Sequence, residues 1–347
     1  MHACTACGAV LERFGEAARE AGEFAERLGD DELRSWAWEA SSEAAYSRGD
    51  YDEGFAWNRR RVGLVPQLTD PDHIALIYLS KHNASLMTGR FDEARRDSEA
   101  HDEVTRSLTP HHRLHAVALF VGIEVAAGRW ETVRGLTSRA EAAVAANIAT
   151  PCFWNVLSLL GCALASVRLG DEQKARRLER SAENLGMEGY SAAFDPIRIE
   201  ISLARGELPE VERKLSEWSP GGFLDVDGLV ARLNALVALG RRAEIEQEAP
   251  AISRPGTYLE PFALRALGFA RADDGLIEQA VERFEEMGLG WHAAETKKLL
   301  VRAAERVLTD RTSASQSRKT VDPGYDVRRR GSCGVRQRRS WTSPRPG

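Results

Sequence analysis

One short frame of residues recurs along this chain and limits what the chain can fold into. In "TGRFDEARRDSEA" (residues 88–100), Gly89 is followed by any residue, aromatic Phe91, two polar residues and Ala94. The same frame fits "GDYDEG" from Gly49, "GRWETV" from Gly128, "GDEQKA" from Gly170, "GELPEV" from Gly206, "GRRAEI" from Gly240 and "GLIEQA" from Gly275. The steps between these glycines are 40, 39, 42, 36, 34 and 35 residues. A motif that returns at that interval marks one supersecondary unit per step, stacked on its neighbours.

Between frame glycines the sequence alternates two helical patterns. Upstream of Gly89, "HIALIYLSKHNASLMT" places Ile74, Ile77, Tyr78 and Leu86 at helical spacing, whereas "FDEARRDSEAHDEV" downstream is polar with a thin stripe of Phe91, Ala94 and Val104. The first reads as a buried helix and the second as an outer one. The couplet repeats as "LHAVALFVGIEVAA" with "WETVRGLTSRAEAAVAA", as "FWNVLSLLGCALASVRL" with "EQKARRLERSAENLGM", and on to "EPFALRALGFA" with "LIEQAVERFEEMG". The frame glycine ends the first helix, because it enters the left-handed region without a Cβ penalty. The small residue five positions on falls where the two helices come closest, so Ala94 is expected to be buried at that contact. Pro71, Pro110, Pro151, Pro196, Pro220 and Pro261 stand near the expected starts of the buried helices, where a missing N–H matters little. The fold class predicted is all-α, a right-handed α-solenoid of seven or eight antiparallel helix pairs over residues 1–309, each unit packing only on its neighbours.

Units of 34 to 42 residues with Gly-x-aromatic-x-x-Ala at the turn resemble tetratricopeptide-type repeats. The family's tryptophan and leucine-glycine signature in the first helix is poorly kept here, and several units are longer than 34 residues. The closing stretch "IEQAVERFEEMGLGWHAAETKKLL" resembles the end of the repeat regions in bacterial adenylate cyclase and STAND/LuxR-type ATPase regulators. That resemblance implies a protein–protein interaction or sensor module, or a detached regulatory repeat region that acts on a cyclase or ATPase domain in trans.

Charge divides the chain. Residues 311–347 hold ten Lys/Arg and two Asp, a net of +8, which leaves −13 on residues 1–310. An acidic body argues against a nucleic-acid groove, which needs a basic face. From Asp310 the sequence loses apolar periodicity and becomes rich in Ser, Arg, Gly and Pro, so residues 310–347 are expected to form a disordered basic tail. No stretch has the length and apolarity of a membrane span or a signal-peptide core, and five irregularly spaced cysteines make no disulfide framework; both favour the cytoplasm.

Chemistry-bearing motifs are sparse. There is no phosphate-binding Gly-x-x-x-x-Gly-Lys-Ser/Thr loop, no Gly-x-Ser-x-Gly elbow and no dinucleotide fingerprint, so no enzyme activity and no cofactor are expected. Cys4 and Cys7 have Cys-x-x-Cys spacing beside His2, yet no second pair completes four zinc ligands, and a helix start with small apolar thiols is the simpler reading. Six of the eight histidines lie between residues 73 and 115. His111 and His115 share a helix face at i, i+4 without an acidic third ligand in the same turn, so capping and stacking are expected of them. The aspartate pairs Asp30-Asp31 and Asp273-Asp274 read as helix starts.

What remains is the concave face, lined by the first helix of each unit. Counted back from the frame glycines, Asn83, His115, Trp154 and Asn155 are the residues expected to meet a protein or peptide partner there, with Trp154 alternatively packed between repeats. Protonation of His115 near its ordinary pKa of about 6.5 would then tighten binding of an acidic partner. If the tail is separate from the fold, removing residues 311–347 leaves helicity and thermal midpoint unchanged and lowers the isoelectric point. Circular dichroism before and after truncation checks this, and a loss of helicity would show that the tail packs on the repeats.

Overall fold

The structure, a computed structural model, describes residues 2–217 and 226–300, with side chains from residue 15 onward except those of Glu188 and Ser191. The described residues form sixteen α-helices and no strand. A leading helix α1 (His2–Leu28) is followed by seven pairs: α2 (Asp31–Ser47) with α3 (Tyr51–Val62), α4 (Pro71–Met87) with α5 (Phe91–Thr105), α6 (Pro110–Ala126) with α7 (Trp130–Ala146), and α8 (Phe153–Arg168) with α9 (Glu172–Glu183). Then come α10 (Ser191–Arg205) with α11 (Leu208–Glu217), α12 (Val226–Leu239) with α13 (Arg242–Ile252), and α14 (Glu260–Arg271) with α15 (Asp274–Glu286). The last of the described helices, α16, runs from residue 290 to 300. From α1 to α9 and from α10 to α15 each helix packs on the next, and α6, α8, α10, α12 and α14 also pack on one another in series. This is an all-α solenoid in which the first helices α6, α8, α10, α12 and α14 form one continuous wall. No described helix is long and apolar enough to cross a membrane. The basic tail and the boundary expected at residues 309/310 lie outside the described residues, as do Pro220 and the side chains of Cys4 and Cys7, whose backbone belongs to α1.

Local chemistry explains the joints. At the α4–α5 turn Gly89 has φ +67°, its N–H donates to Leu86 O at 2.9 Å, and Arg90 N–H donates to Ser85 O at 2.8 Å. This double closure uses carbonyls that the last helical turn would otherwise leave without donors. Gly49, Gly128, Gly170, Gly206 and Gly240 repeat the pattern, and so do Gly29 before α2 and Gly288 before α16. In the seventh pair the expected frame at Gly275 is displaced by three residues. Gly275 lies inside α15, and Ala272 takes the left-handed position at φ +53°, with Asp273 N–H closing on Gly268 O. The sequence misleads there because a nearby glycine is a stronger signal than an alanine that adopts αL at a steric disadvantage. Asp30 and Asp273 cap α2 and α15, accepting from the N–H groups of Leu33 and Leu276.

Pair interiors follow the frame. Ala94 is fully buried, and its carbonyl accepts from His82 Nδ1 of α4 at 2.9 Å, which places it on the α4–α5 contact. In the α14–α15 pair, a Cβ on Gly268 would stand 2.6 Å from Ile277 Cγ1 and 3.0 Å from backbone atoms of Asp273 and Ile277, so the helices meet at a position only glycine fits. Pro71, Pro110 and Pro261 open their helices as expected. Pro196 does not: α10 starts at Ser191, and the proline sits inside it.

The expectation that each unit touches only its neighbours fails along one edge. The α13–α14 loop and the start of α16 lie against the turns of the first three pairs. Tyr258 N–H donates to Met87 O at 3.0 Å, its hydroxyl donates to Ala126 O at 3.0 Å, and His292 Nε2 donates to the same Ala126 O at 2.9 Å. Arg254 reaches Gly49 O. Met87 and Ala126 are the last residues of α4 and α6, so these donors satisfy carbonyls that a helix end exposes. The three turn glycines are covered in order: Arg254 lies over Gly49, Met287 over Gly89 and Trp291 over Gly128, each occupying the space a Cβ would need. Gly170, Gly206 and Gly240 have open space at that position. Replacing Gly170 by Ala should therefore cost only the αL penalty of roughly 1–2 kcal/mol. Gly128→Ala should add an overpacking penalty of about 1–3 kcal/mol against Trp291. Urea denaturation of the two variants checks the closure, and equal losses would contradict it.

Candidate functional site

The first helices present one row of residues to the inside of the solenoid. Six residues before each left-handed turn residue stand Gly122 on α6, Leu164 on α8, Glu200 on α10 and Asn234 on α12, and all four line a single cavity of about 610 Å3. A second row lies one turn or so back along the same helices, with Ala118, Gly161, Pro196 and Val230. Because the helices repeat and α6, α8, α10 and α12 pack side by side, each contributes the same face to the wall. Tyr258, Trp291 and His292, the residues that close the array on its first turns, supply the remaining side.

Small residues make the space. Gly161 faces α6 so closely that a Cβ would meet Val121 Cγ1 at 2.6 Å, whereas a Cβ on Gly122 would meet nothing within 4 Å. The first glycine brings α8 onto α6; the second leaves the lumen empty. Aromatic rings frame it. Trp130 and Trp291 meet edge to face with centroids 5.0 Å apart, the Arg168 guanidinium lies 4.9 Å from the Trp291 centroid, and Tyr190 stands half exposed at the rim against Phe153. Such a wall offers large apolar area with a cation held over one ring.

One polar network crosses this wall. Glu200 on α10 accepts from Arg168 of α8 at 3.4 Å and from Asn234 of α12, and Asn234 Oδ1 accepts in turn from Arg265 of α14. Burial pushes the Glu200 carboxyl up, against the pull of Arg168, and pushes Arg265 down to about 10. The network ties four consecutive first helices together through charge-assisted bonds. His292, stacked on Phe284 and edge-on to Phe262, donates through Nε2, so its buried Nδ1 is an acceptor with no partner among the described residues. Burial holds its imidazole down to about 3, with Arg265 adding to the effect.

Of the residues expected at the groove, the structure brings Trp154 to the cavity. Asn83 is half-buried on α4 in the same register as Gly122 and Glu200, six residues before Gly89, but one pair short of the helices that enclose the space. His115 lies at the start of α6, 5.9 Å from the Trp154 ring and 3.6 Å from Cys152 Sγ, outside the cavity lining. Asn155 is fully buried: its Oδ1 accepts from Cys152 N–H at 2.9 Å and from Asn147 Nδ2 at 3.0 Å, so the side chain holds the α7–α8 loop. The expectation that His115 charges near its ordinary pKa is corrected. Burial, aided by His111, His101 and His112, lowers its imidazole to about 4. Glu200, Asn234 and the arginines were missed, although the interval that gives the frame also gives their row. No protein-family model matches this chain, and no match to it is found among curated proteins.

Four histidines are held neutral by burial: His82, His101 and His115 at about 4 and His292 at about 3. In the unfolded chain they would take a proton near pH 6.5. Their contribution to stability is thus fully present above that pH and is lost as pH falls from 6.5 toward their folded values, each with a limiting slope of about 1.4 kcal/mol per pH unit. Thermal melts between pH 7 and 4.5 should show a falling midpoint, and His292→Gln should make that fall shallower than in the parent protein. Parallel profiles would show that His292 is not buried neutral.

Proposed function

We propose that this chain is a non-enzymatic interaction or sensor module that holds an apolar anchor of a peptide or protein partner in its concave cavity. The observation that carries the reading is the cavity: about 610 Å3, lined by the same register position of four successive pairs. It falls in the size range of ligand pockets, large enough for one or two bulky side chains. The Trp154 and Tyr190 rings at the rim suit an aromatic or aliphatic anchor, and the Glu200–Asn234 pair provides acceptors for a donor on the partner. The net charge of −13 on residues 1–310 favours a partner segment that is neutral or basic over nucleic acid. Nothing in this reading calls for a cofactor or a membrane.

Within it, the array belongs with tetratricopeptide-like repeats, and its partner in trans is a cyclase or ATPase domain of the kind that the related-looking regulators carry. The support for this narrower reading is the closing stretch "GLGWHAAE", whose Trp291 and His292 both close the array and line the cavity. In such a module occupancy of the cavity would be sensed by the same residues that fasten the two ends.

Gly122 offers the test, because its helix tolerates a side chain and its cavity does not. Gly122→Ala should raise stability by roughly 0.5–1 kcal/mol, since Gly is a poor helix former and the Cβ meets open space. Gly122→Leu should stay folded yet fill the lumen. Peptides selected on the parent protein from a random library should carry an apolar anchor and lose binding to Gly122→Leu in fluorescence polarisation. Selected peptides that bind both proteins equally would refute the cavity as the binding site.

A further inference from the structure

The histidines at the start of α6 and the cysteine before α8 come together across the joint between two pairs. His111 and His115 occupy successive turns of one face of α6, with ring centroids 4.4 Å apart. Cys152 is the N-cap of α8, in extended backbone, and its Sγ lies 3.6 Å from His115 Nε2. One donor atom from each of the three residues falls within 4.8 Å of the other two, and all three side chains are half-buried. His111 Nδ1 is buried with no hydrogen-bond partner among the described residues.

We propose that His111, His115 and Cys152 form a binding site for a borderline-soft divalent transition ion, with Zn2+ as the best fit and the fourth position left to water. Two imidazole nitrogens and one thiolate are a donor set that such ions favour over Mg2+ or Ca2+. Bond lengths of about 2.3 Å to sulfur and 2.0–2.1 Å to nitrogen at a tetrahedral angle require S···N separations of about 3.5 Å and N···N separations of about 3.3 Å. The Cys152–His115 pair already stands at that distance, and His111 needs an approach of at most about 1.5 Å. On binding, the Cys152 S–H bond breaks, the sulfur keeps the electron pair and bonds the ion, and the proton leaves to solvent.

The surroundings fit this use. His112 is excluded as a ligand by its own partners, Thr109 Oγ1 at 2.8 Å and Asp72 Oδ1 at 2.7 Å. Asn155 and Asn147 fix the loop that presents Cys152: Asn155 Oδ1 accepts the Cys152 N–H, while Asn147 Nδ2 donates to Thr150 O and to Asn155 Oδ1. These are outer partners of a ligand, and they explain why a cavity-adjacent asparagine is turned inward. An ion here would bolt α6 to α8 beside Trp154, which meets His115 and also lines the cavity.

The test is Co2+ titration of the full chain under a non-chelating reductant. The parent protein should bind one equivalent with tetrahedral ligand-field bands and a thiolate-to-cobalt charge-transfer band in the near ultraviolet, and Zn2+ should displace it. Cys152→Ser should abolish the charge-transfer band, and His111→Gln should weaken Co2+ binding tenfold or more, both with unchanged helicity. Because Cys4 and Cys7 offer a rival pair, a Cys4→Ser/Cys7→Ser variant should keep the band. Absence of the band in the parent protein, its survival in Cys152→Ser, or its loss only in the Cys4/Cys7 variant would each overturn the assignment.

Discussion

A helix that stops at a turn leaves its last carbonyls without donors, and most of this architecture is an answer to that deficit. Within each pair the answer is local: a left-handed residue lets two N–H groups fold back onto carbonyls of the last turn. At α4 and α6 it is also remote. Met87 O and Ala126 O take donors from Tyr258 and His292, about 170 residues away in sequence in both cases. Buried, water-poor surroundings make those bonds stronger and their loss more damaging than at an exposed helix end. The closure of the array is consequently tied to the same turns that create its repeats.

That dependence shapes the lumen. Had the units touched only their neighbours, the wall of α6, α8, α10 and α12 would be an open trough. With Tyr258, Trp291 and His292 laid across one side it becomes a cavity of about 610 Å3. Glycine serves two ends here. At Gly49, Gly89 and Gly128 it takes the left-handed conformation and also admits the returning side chain, whereas at Gly170, Gly206 and Gly240 only the first requirement holds.

The sequence made the pairs legible because the frame reports on local geometry: φ at the turn, a small residue at the helix crossing, polar second helices. It failed at the seventh pair, where Ala272 takes a position usually reserved for glycine, and at α10, where Pro196 looked like a start and sits inside the helix. The candidate site was legible in part. Counting six residues back from each turn gives Asn83, Gly122, Leu164, Glu200 and Asn234; Asn83 keeps this register one pair short of the cavity, whereas Asn155 departs from it. Asn155 lies nine residues nearer the start of α8 than the row position Leu164, and it faces the loop. The return of residues 254–292 onto the first turns left no periodic trace, because contacts between distant units depend on the summed twist of every pair between them. Cys152 could not be assigned to His111 and His115 for the same reason: the distance across a joint between units is not written in the spacing along the chain.

Sharing residues between closure and cavity has a thermodynamic consequence. Trp291 and His292 fasten α16 to the turn of α6–α7 and at the same time form part of the lumen. Anything that binds in the lumen against those rings binds the closed array better than one with its end detached, and must stabilise the closure by the same free energy that closure lends to binding. The effect needs no movement of the wall, because α8, α10 and α12 are already linked through Arg168, Glu200 and Asn234. The contact that closure and lumen share is that of Trp291, at the start of α16, over Gly128. Occupancy of the lumen and closure of the array are therefore coupled through Trp291 and His292, the residues that belong to both.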